Sequence, residues 1–183
     1  MHQESKAALR LIMTKLRDGI SERERKEKSQ KIGEILFSLE EFRSADTIAF
    51  YLSKGSEVDT SGMIKESLKL GKNVLVPVTN SEIELVEFIS FEDLIPGKYG
   101  IMEPKVKKPS KNLPDIVITP GLAFDLARYR LGYGKGYYDR LFKKLKSKRI
   151  GVAFDFQIVE KLPIQEHDQK MDIVISGNRI LRV

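Results

Sequence analysis

The stretch RLGYGKGYYDRLF, residues 130–142, combines glycine, basic and aromatic residues in a pattern that suits anion binding. Its glycines stand at alternate positions, Gly132, Gly134 and Gly136, and we call residues 132–136 the glycine segment. Glycine has no Cβ, so this backbone can adopt positive φ angles and let a ligand approach closely. Arg130 and Lys135 add positive charge beside it. The pattern predicts a phosphate-binding loop, and a glycine-rich turn that serves packing alone is the alternative.

The sequence on both sides indicates which elements hold this segment. An apolar stripe with helical spacing follows the glycines, at Tyr138, Leu141, Phe142 and Leu145. Upstream, the β-branched run at 115–119 before Pro120 and Gly121 is typical of a buried strand that ends in a turn. The glycines therefore open a helix that follows a strand. The spacing matches neither the dinucleotide-binding GxGxxG motif nor the GxxxxGKS/T phosphate loop.

Composition narrows the possible chemistry. The 183 residues are 41% hydrophobic, which suits one domain over residues 1–183 with a sizeable core. The absence of cysteine excludes disulfides and thiolate chemistry, and two histidines are too few for a histidine-rich metal site. A net charge of +6 favours anionic partners. No apolar run is long enough to span a membrane, and MHQESKAALR lacks the apolar part of a signal peptide, so we expect a cytoplasmic protein.

Hydrophobic periodicity predicts an α/β fold. A helical stripe at 9–16 and the capping box of Ser21 and Glu24 indicate two leading N-terminal helices. Further patterns predict strands at 47–51, 73–77, 83–88, 115–119, 150–154 and 172–176, and helices at 59–70 and 136–146. This order is typical of a three-layer α/β/α single domain with a mostly parallel, Rossmann-like sheet. Ligands bind beyond the carboxyl ends of such strands, where residues 51–59 and the glycine segment are expected to share a cleft.

Several motifs resemble those of one enzyme family. PGLAFD at 120–125 and RLGYGKGYYDR at 130–140 closely resemble the signature of the 5-formyltetrahydrofolate cyclo-ligase family, also called methenyltetrahydrofolate synthetases. Other matching motifs are Lys6-x-x-Leu9-Arg10, EVDT at 57–60, GIMEP at 100–104, Gln157, Leu162-Pro163 and His167-Asp168. They occur in the family's order and cover nearly the whole chain. One difference is that LARY at 126–129 lacks the glycine that the family usually has there.

The resemblance implies an ATP-dependent enzyme that closes 5-formyltetrahydrofolate to 5,10-methenyltetrahydrofolate and releases ADP and phosphate. In the implied mechanism, the formyl oxygen attacks the γ-phosphate, and the neighbouring side-arm nitrogen of the folate traps the imidate phosphate. Phosphate then departs with the oxygen. Phosphoryl transfer of this kind needs positioned cations and Mg²⁺ rather than a protein nucleophile. A chain without cysteine is compatible with that chemistry.

The resemblance also implies roles for individual residues. ATP binding is expected from Lys6, Arg10, Arg130, Leu131, Gly132, Tyr133, Gly134, Lys135, Gly136, Tyr137 and Tyr138. Folate binding is expected from Leu52, Glu57, Tyr133, Gly134, Lys135, Gly136 and Tyr137. Asp139 and Asp168 are the expected Mg²⁺ ligands, and Arg130, Lys135 and Tyr137 the expected catalytic residues.

The residues alone leave other interpretations open at some of these positions. Lys6 and Arg10 lie one helical turn apart, which suits either two phosphate ligands or an ordinary solvated basic face. Tyr138 also belongs to the apolar stripe, which favours a place in the core. Asp139 lies in the first turn of the predicted helix, where it could merely complement the helix dipole. The position of Glu57 is equally compatible with an ordinary loop carboxylate or with the start of the helix predicted at 59–70.

Two other classes of function are compatible with the charge. A nucleic-acid-binding module is one, but the sequence lacks the aromatic, loop or zinc-finger motifs that specify such modules. A sugar-phosphate isomerase or phosphate-sensing domain is the other, although it needs no second ATP-binding segment. The resemblance implies ATP and 5-formyltetrahydrofolate as partners and Mg²⁺ as cofactor. We expect a monomer that binds neither nucleic acid nor membrane. Basic residues 105–111 would meet solvent or a polyglutamate tail, and His167 would be structural.

Overall fold

The computed structural model describes residues 5–79, 82–166 and 168–182, so His167 lies outside the described residues. The helices are α1 Lys6–Asp18, α2 Glu22–Ser38, α3 Glu40–Ser44, α4 Ser61–Lys69 and α5 Tyr137–Lys144. The strands are β1 Thr47–Ala49, β2 Asn73–Thr79, β3 Ile83–Glu87, β4 Leu94–Pro96, β5 Met102–Pro104, β6 Ile116–Thr119, β7 Ala123–Asp125, β8 Arg130–Leu131, β9 Lys148–Val152, β10 Ile158–Val159, β11 Ile173–Ile175 and β12 Ile180–Arg182.

Serine side chains define the starts of the first two helices. The hydroxyls of Ser5 and Ser21 accept hydrogen bonds from the amides of Ala8 and Glu24, each at 3.2 Å. Each bond satisfies an amide that has no partner inside the helix. The short helix α3 follows, so three helices precede β1 in the described chain, where the sequence indicated two. Within the same residues, no helix has the length and apolar character needed to cross a membrane.

A seven-stranded sheet forms the centre of the fold, in the order β12-β11-β9-β6-β1-β2-β3. The inner strands pair in parallel, whereas β3 and β12 pair antiparallel with β2 and β11 at the two edges. The predicted α/β class with a mostly parallel sheet is confirmed. The antiparallel edges could not be predicted from hydrophobic patterns, because side chains alternate with a period of two in either strand direction.

Strand side chains alternate between two cores, one on each face of this sheet. Ile48 and Ile118 lie in a core that includes Ile64 of α4. Val117, between two residues of that core, points to the other face and belongs to a core with Phe142 of α5. Because both faces of the sheet are covered, the sequences of these strands are continuous runs of apolar residues. Each fully buried side chain of this size stabilises the fold by roughly 1.5–3 kcal/mol.

Local hydrogen bonds explain where some element ends differ from the expected ones. The helix predicted at 59–70 begins at Ser61, because Asp59 Oδ1 accepts hydrogen bonds from the Ser61 amide and hydroxyl. The strand predicted at 115–119 begins one residue later, next to Asp115, whose Oδ2 accepts the amide of Thr47 at 2.9 Å. Polar side chains at these ends therefore set the boundaries.

A smaller three-stranded sheet has the order β10-β7-β8. Its strands β7 and β8 lie in the chain between β6 and the glycine segment. Phe124 of β7 is fully buried against two glycines, Gly121 and Gly151. A Cβ at these glycines would lie 2.7 and 2.5 Å from the Phe124 ring, so this close packing requires glycine. The sequence patterns predicted no strand between residues 119 and 136, because strands of two or three residues show no measurable period.

The turn between β7 and β8 forms without a glycine. Arg128 adopts a φ of 70°, in the left-handed region that glycine enters most easily. Its amide donates to the carbonyl oxygen of Asp125 at 2.8 Å, and its Nε donates to that of Met171 at 3.2 Å. These hydrogen bonds offset a backbone strain of roughly 1–2 kcal/mol. An arginine thus takes the left-handed position in the segment LARY.

Candidate active site

A cavity of about 600 Å³ lies at the carboxyl ends of the central strands. Three of its lining residues mark those ends. Tyr51 follows β1, Pro77 lies near the end of β2, and Pro120 follows β6 directly. All the residues predicted for the site line this one cavity, namely Lys6, Arg10, Leu52, Glu57, Arg130, Leu131, Gly132, Tyr133, Gly134, Lys135, Gly136, Tyr137, Tyr138, Asp139 and Asp168. The loop after β1 and the glycine segment therefore share a cleft, as the strand pattern indicates.

One face of α1 directs three cations toward this cavity. Lys6, Arg10 and Arg17 follow at helical spacing and all line it. Lys6 Nζ lies 2.5 Å from Asp168 Oδ2, and Arg10 Nε donates to the carbonyl oxygen of Gly132 at 2.8 Å. These contacts join residues that are 162 and 122 positions apart in the sequence. The basic stripe of α1 is thus part of the cavity wall and not a solvated face.

Backbone conformation explains two of the glycines in the glycine segment. Gly134 has a φ of 89° and Gly136 a φ of 65°, both in the left-handed region. Gly136 is the N-cap of α5, so the glycines do open a helix. A Cβ at Gly134 would also lie 3.3 Å from the guanidinium carbon of Arg10. The backbone therefore favours glycine at both positions, whether or not a ligand is bound.

Arg130 connects the strand before the glycine segment with α5. Its guanidinium carbon lies 5.3 Å from the centroid of the Tyr138 ring, and its Nη2 lies 3.5 Å from Asp139 Oδ1. The side chain is only 7% exposed. Its Nε is buried and has no hydrogen-bond partner among the residues that the structure describes. A buried guanidinium with an unused donor on a cavity wall is well suited to an anionic oxygen.

Tyr138 belongs to the core and to the cavity wall at once. Its ring centroid lies 5.9 Å from that of Phe142, and the side chain packs against the core beneath α5. The same residue also lines the cavity. Burial raises the pKa of the Tyr138 hydroxyl well above its ordinary value. The two sequence interpretations of Tyr138 are therefore compatible.

Glu57, on the loop after β1, is held in one orientation by two hydrogen bonds. Its Oε2 accepts the amide of Lys54 at 2.9 Å, and its Oε1 accepts the hydroxyl of Tyr133 at 3.2 Å. Burial raises the pKa of Glu57 above its ordinary value, although the Lys54 amide and the charge of Arg17 oppose this rise. A partly buried carboxylate on a cavity wall is suited to accept N–H groups of a ligand.

Known proteins of similar sequence identify the family. Residues 2–177 match the sequence model of the 5-formyltetrahydrofolate cyclo-ligase family. The chain belongs to this family. The 5-formyltetrahydrofolate cyclo-ligase of Escherichia coli K12 is 33% identical over an alignment of 147 positions, which covers 74% of this chain and 80% of that protein. A probable 5-formyltetrahydrofolate cyclo-ligase of Caenorhabditis elegans is 29% identical over an alignment of 198 positions, which covers 98% of this chain and 96% of that protein.

Two solved structures of methenyltetrahydrofolate synthetases share the fold of this cyclo-ligase family member. The NMR structure from Aquifex aeolicus has a TM-score of 0.87 and 38% identity, with coverage of 97% of this chain and 92% of that one. The Mycoplasma pneumoniae structure has a TM-score of 0.75 and 25% identity, with coverage of 96% and 100%. The predicted family, enzyme class and fold class are confirmed, and the isomerase or phosphate-sensing alternative is not favoured.

Two aspartates on the cavity wall fit the Mg²⁺ that the cyclo-ligase resemblance implies. Asp139 pairs with Arg130, and Asp168 Oδ2 accepts hydrogen bonds from Lys6 and from the amide of Gln165, the latter at 2.7 Å. Within residues 5–79, 82–166 and 168–182, no cluster of three or more potential ligand side chains is able to hold a metal by itself. Mg²⁺ commonly takes one or two carboxylates and completes its shell with phosphate oxygens and water. The donor set therefore fits a metal that arrives with a nucleotide.

The cyclo-ligase cavity also includes residues that the sequence analysis did not select, namely Thr14, Arg17, Asp18, Tyr51, Lys54, Gly55, Ser56, Pro77, Ile83, Ile101, Pro120 and Gln165. Arg17 could have been found from the sequence, because it lies on the same helical face as Lys6 and Arg10. Ile83 and Ile101 could not, since nothing in the sequence shows which apolar residues after β2 face the cleft.

Proposed function

We propose that this protein catalyses the ATP- and Mg²⁺-dependent closure of 5-formyltetrahydrofolate to 5,10-methenyltetrahydrofolate, with release of ADP and phosphate. The observation that carries the proposal is one cavity that holds both a cationic wall and a carboxylate. The cationic wall consists of Lys6, Arg10, Arg130 and the glycine segment, and the carboxylate is that of Glu57. The cationic wall suits a triphosphate, and the Glu57 carboxylate suits the N–H groups of a pterin. Tyr133 joins the two parts, because it belongs to the glycine segment and donates to Glu57.

The chemistry requires activation of the formyl oxygen, because oxide is a poor leaving group. That oxygen attacks the γ-phosphorus of ATP, the bond between this phosphorus and the ADP oxygen breaks, and an imidate phosphate forms. The side-arm nitrogen of the folate then attacks the imidate carbon and gives up its proton. Phosphate leaves with the original formyl oxygen. No protein nucleophile takes part, and the protein contributes position and charge.

The cationic wall would bind and polarise ATP. Lys6 and Arg10 of α1 would contact the triphosphate together with the amides of the glycine segment, since charge-assisted hydrogen bonds to phosphate are strong. Arg130 would use its unsatisfied Nε on the transferring phosphoryl group. Lys135 is exposed at the cavity wall and would add a mobile charge there. Tyr137, at the start of α5, would lie where the two substrates meet.

The loop after β1 would bind the folate. Leu52 is buried at the cavity wall and would pack against the pterin ring. Glu57 would accept two adjacent N–H groups of that ring. Asp139 and Asp168 would hold Mg²⁺ together with the nucleotide phosphates, and the metal would supply positive charge near the transferring phosphoryl group. A monomeric state, a cytoplasmic location and the absence of nucleic-acid partners stay predictions.

The proposed function is tested by mixing the purified protein with 5-formyltetrahydrofolate, ATP and Mg²⁺. The conjugated methenyl product absorbs in the near ultraviolet, so its formation is followed directly. We expect product only when all three components are present, with one ADP formed for each methenyl group. Absence of product at high protein and substrate concentrations, or product formed equally well without nucleotide, would contradict the proposal.

Glu57→Gln should raise the KM for 5-formyltetrahydrofolate by about 10- to 150-fold, because hydrogen bonds to a charged group contribute roughly 1.5–3 kcal/mol. The KM for ATP should change little. Initial rates measured against each substrate in turn provide both constants. Glu66→Gln is the matched control, since Glu66 lies on the next helix and pairs with Lys69 at the surface. An equal rise in both KM values would contradict a specific role of Glu57 in folate binding.

The raised pKa of Glu57 gives this site a pH dependence of definite sign. The folded protein takes up a proton at Glu57 at a higher pH than the unfolded chain does. As pH falls from the folded pKa toward the ordinary glutamate value, the contribution of Glu57 to stability therefore increases. Folate binding should weaken over the same window, because the charged acceptor is lost. The KM for folate should therefore rise in the parent as the pH falls through this window, and it should stay constant in Glu57→Gln. Initial rates measured as a function of pH test this.

Gly134→Ala and Gly136→Ala should each reduce the thermal stabilisation that MgATP gives the protein. Both φ angles are positive, so an added Cβ destabilises the ligand-free protein by roughly 1–2 kcal/mol. Gly71→Ala is a matched control, since Gly71 has a φ of 75° and no atom within 4 Å of an added Cβ. It should lose stability and keep the full shift with MgATP. Normal shifts and normal turnover in both loop variants would mean that the glycines serve packing alone.

A further inference from the structure

Arg17 is a third cation of α1 in the cavity, and one of its donors is unused. The residue is 5% exposed and lies on the cavity wall. Its Nε donates to Ser56 Oγ at 3.0 Å, and its Nη2 donates to the hydroxyl oxygen of Tyr133 at 2.5 Å. Its Nη1 is buried without a hydrogen-bond partner in the part of the chain that the structure describes. A buried N–H group without a partner is costly, so a ligand acceptor at this point would restore a lost hydrogen bond.

Contacts of Arg17 place it near Glu57, on the side of the cavity that is proposed to bind folate. The Tyr133 hydroxyl accepts from Arg17 and donates to Glu57, so the cation and the carboxylate lie on either side of one oxygen atom. Because Arg17 donates to that oxygen, the Tyr133 proton is directed to Glu57. Arg17 also lies eleven residues after Lys6 on α1, a rise of roughly 16 Å along the helix. It is therefore remote from the ion pair between Lys6 and Asp168.

The edge of a pterin has a hydrogen-bonding order that matches this arrangement. Its 2-amino group and N3–H are adjacent donors, and the carbonyl oxygen at position 4 is an acceptor next to them. A carboxylate takes the two donors, and an N–H donor beside that carboxylate takes the oxygen. Building on the proposed function, we propose that Arg17 determines specificity by donating its Nη1–H to the 4-oxo group of the folate, next to the pairing with Glu57.

The 4-amino-4-deoxy analogue of 5-formyltetrahydrofolate tests this assignment. It carries an amino group where the substrate has the carbonyl oxygen, and its N3 has no hydrogen. It therefore offers Arg17 a donor instead of an acceptor, and it offers Glu57 one donor instead of two. Arg17→Met should weaken binding of 5-formyltetrahydrofolate by about 10- to 150-fold, the value of a hydrogen bond from a charged donor. The same change should leave the affinity for the 4-amino analogue equal or higher. The preference for the 4-oxo compound should therefore fall by about the same factor.

The measurement is calorimetric titration of both compounds into the protein without ATP, so that binding is read independently of turnover. Arg25→Met is the matched control, because Arg25 contacts the same loop at the carbonyl oxygen of Glu57, 3.5 Å away, and pairs with Asp59. It should keep the parent's preference. Arg17→Lys keeps the charge on a single nitrogen that cannot reproduce the guanidinium fork, and it should also lose the preference even if Arg17→Met does not fold.

A 4-oxo preference that falls by this factor in the Arg17 variants and is retained in Arg25→Met would support the assignment. Equal weakening of both compounds would overturn it, because loss of a contact with the 4-oxo group weakens only the compound that carries this group. An unchanged preference would overturn it as well, while leaving the proposed function intact. A parent protein that binds neither compound would overturn both the proposed function and this inference.

Discussion

Arg130→Lys is expected to lower kcat by about 100- to 1000-fold, the range for removing a positioned donor from a developing charge. Arg130 contacts Asp139 and the Tyr138 ring and still has a buried Nε free of partners among the described residues. Lysine is a compact point charge and cannot make these contacts together. The KM for 5-formyltetrahydrofolate should change little. Steady-state kinetics with each substrate varied at saturation of the other measure the effect.

A matched control for Arg130→Lys exists one helical turn further along α5, at Phe142. Arg149 lies 4.8 Å from the Phe142 ring centroid and donates to the carbonyl oxygen of Phe142 at 3.2 Å. Arg149→Lys thus makes the same chemical change beside an aromatic ring without altering a residue of the cavity wall. It should leave kcat nearly unchanged. A kcat for Arg130→Lys within a few-fold of the parent would contradict a role for Arg130 in phosphoryl transfer.

Asp139→Asn and Asp168→Asn should each lower turnover on the order of 100-fold, because charge stabilisation by a metal contributes several kcal/mol. The dependence of rate on Mg²⁺ should also shift to higher concentration, since each change removes one anionic ligand. Each change also weakens an ion pair, with Arg130 or Lys6. The Mg²⁺ titration separates the two effects, because a broken ion pair alone does not move the metal dependence.

Glu87→Gln is the control for these aspartate variants. Glu87 pairs with Lys108 at 2.7 Å on β3, and this change breaks an ion pair without removing a predicted metal ligand. Rate and Mg²⁺ dependence should both match the parent. For Asp139 or Asp168, a normal Mg²⁺ dependence with a near-normal rate would remove that residue from the metal site.

The parts of the fold with a strong local pattern could be predicted from the sequence. The glycine segment and α5 are an example, because positive φ at Gly134 and Gly136 and the apolar stripe after them are local properties. The β7–β8 hairpin was missed for the opposite reason. Its strands have three and two residues, and it is held by packing of Phe124 on Gly151, a contact distant in the sequence.

In the candidate site too, features with a local sequence pattern could be predicted, and contacts between distant positions could not. Lys6 and Arg10 could be selected because they lie one helical turn apart and match a family motif. The bonds of Tyr133 to Arg17 and Glu57 join positions 116 and 76 residues apart, which no local pattern reveals. The Arg128 turn is a further case, because its strain is offset by a hydrogen bond to Met171. Sequence thus indicated most of the residues, and only the structure shows how they contact one another.

The most direct test of the central claim follows the formyl oxygen itself. If ATP activates this oxygen in the cavity, 5-formyltetrahydrofolate labelled with ¹⁸O in the formyl group should transfer its label to phosphate. Mass spectrometry of the phosphate released in a single turnover should then find one ¹⁸O atom for each methenyl group formed. Unlabelled phosphate, with the label in water, would show that ATP hydrolysis and ring closure are separate events and would contradict the account.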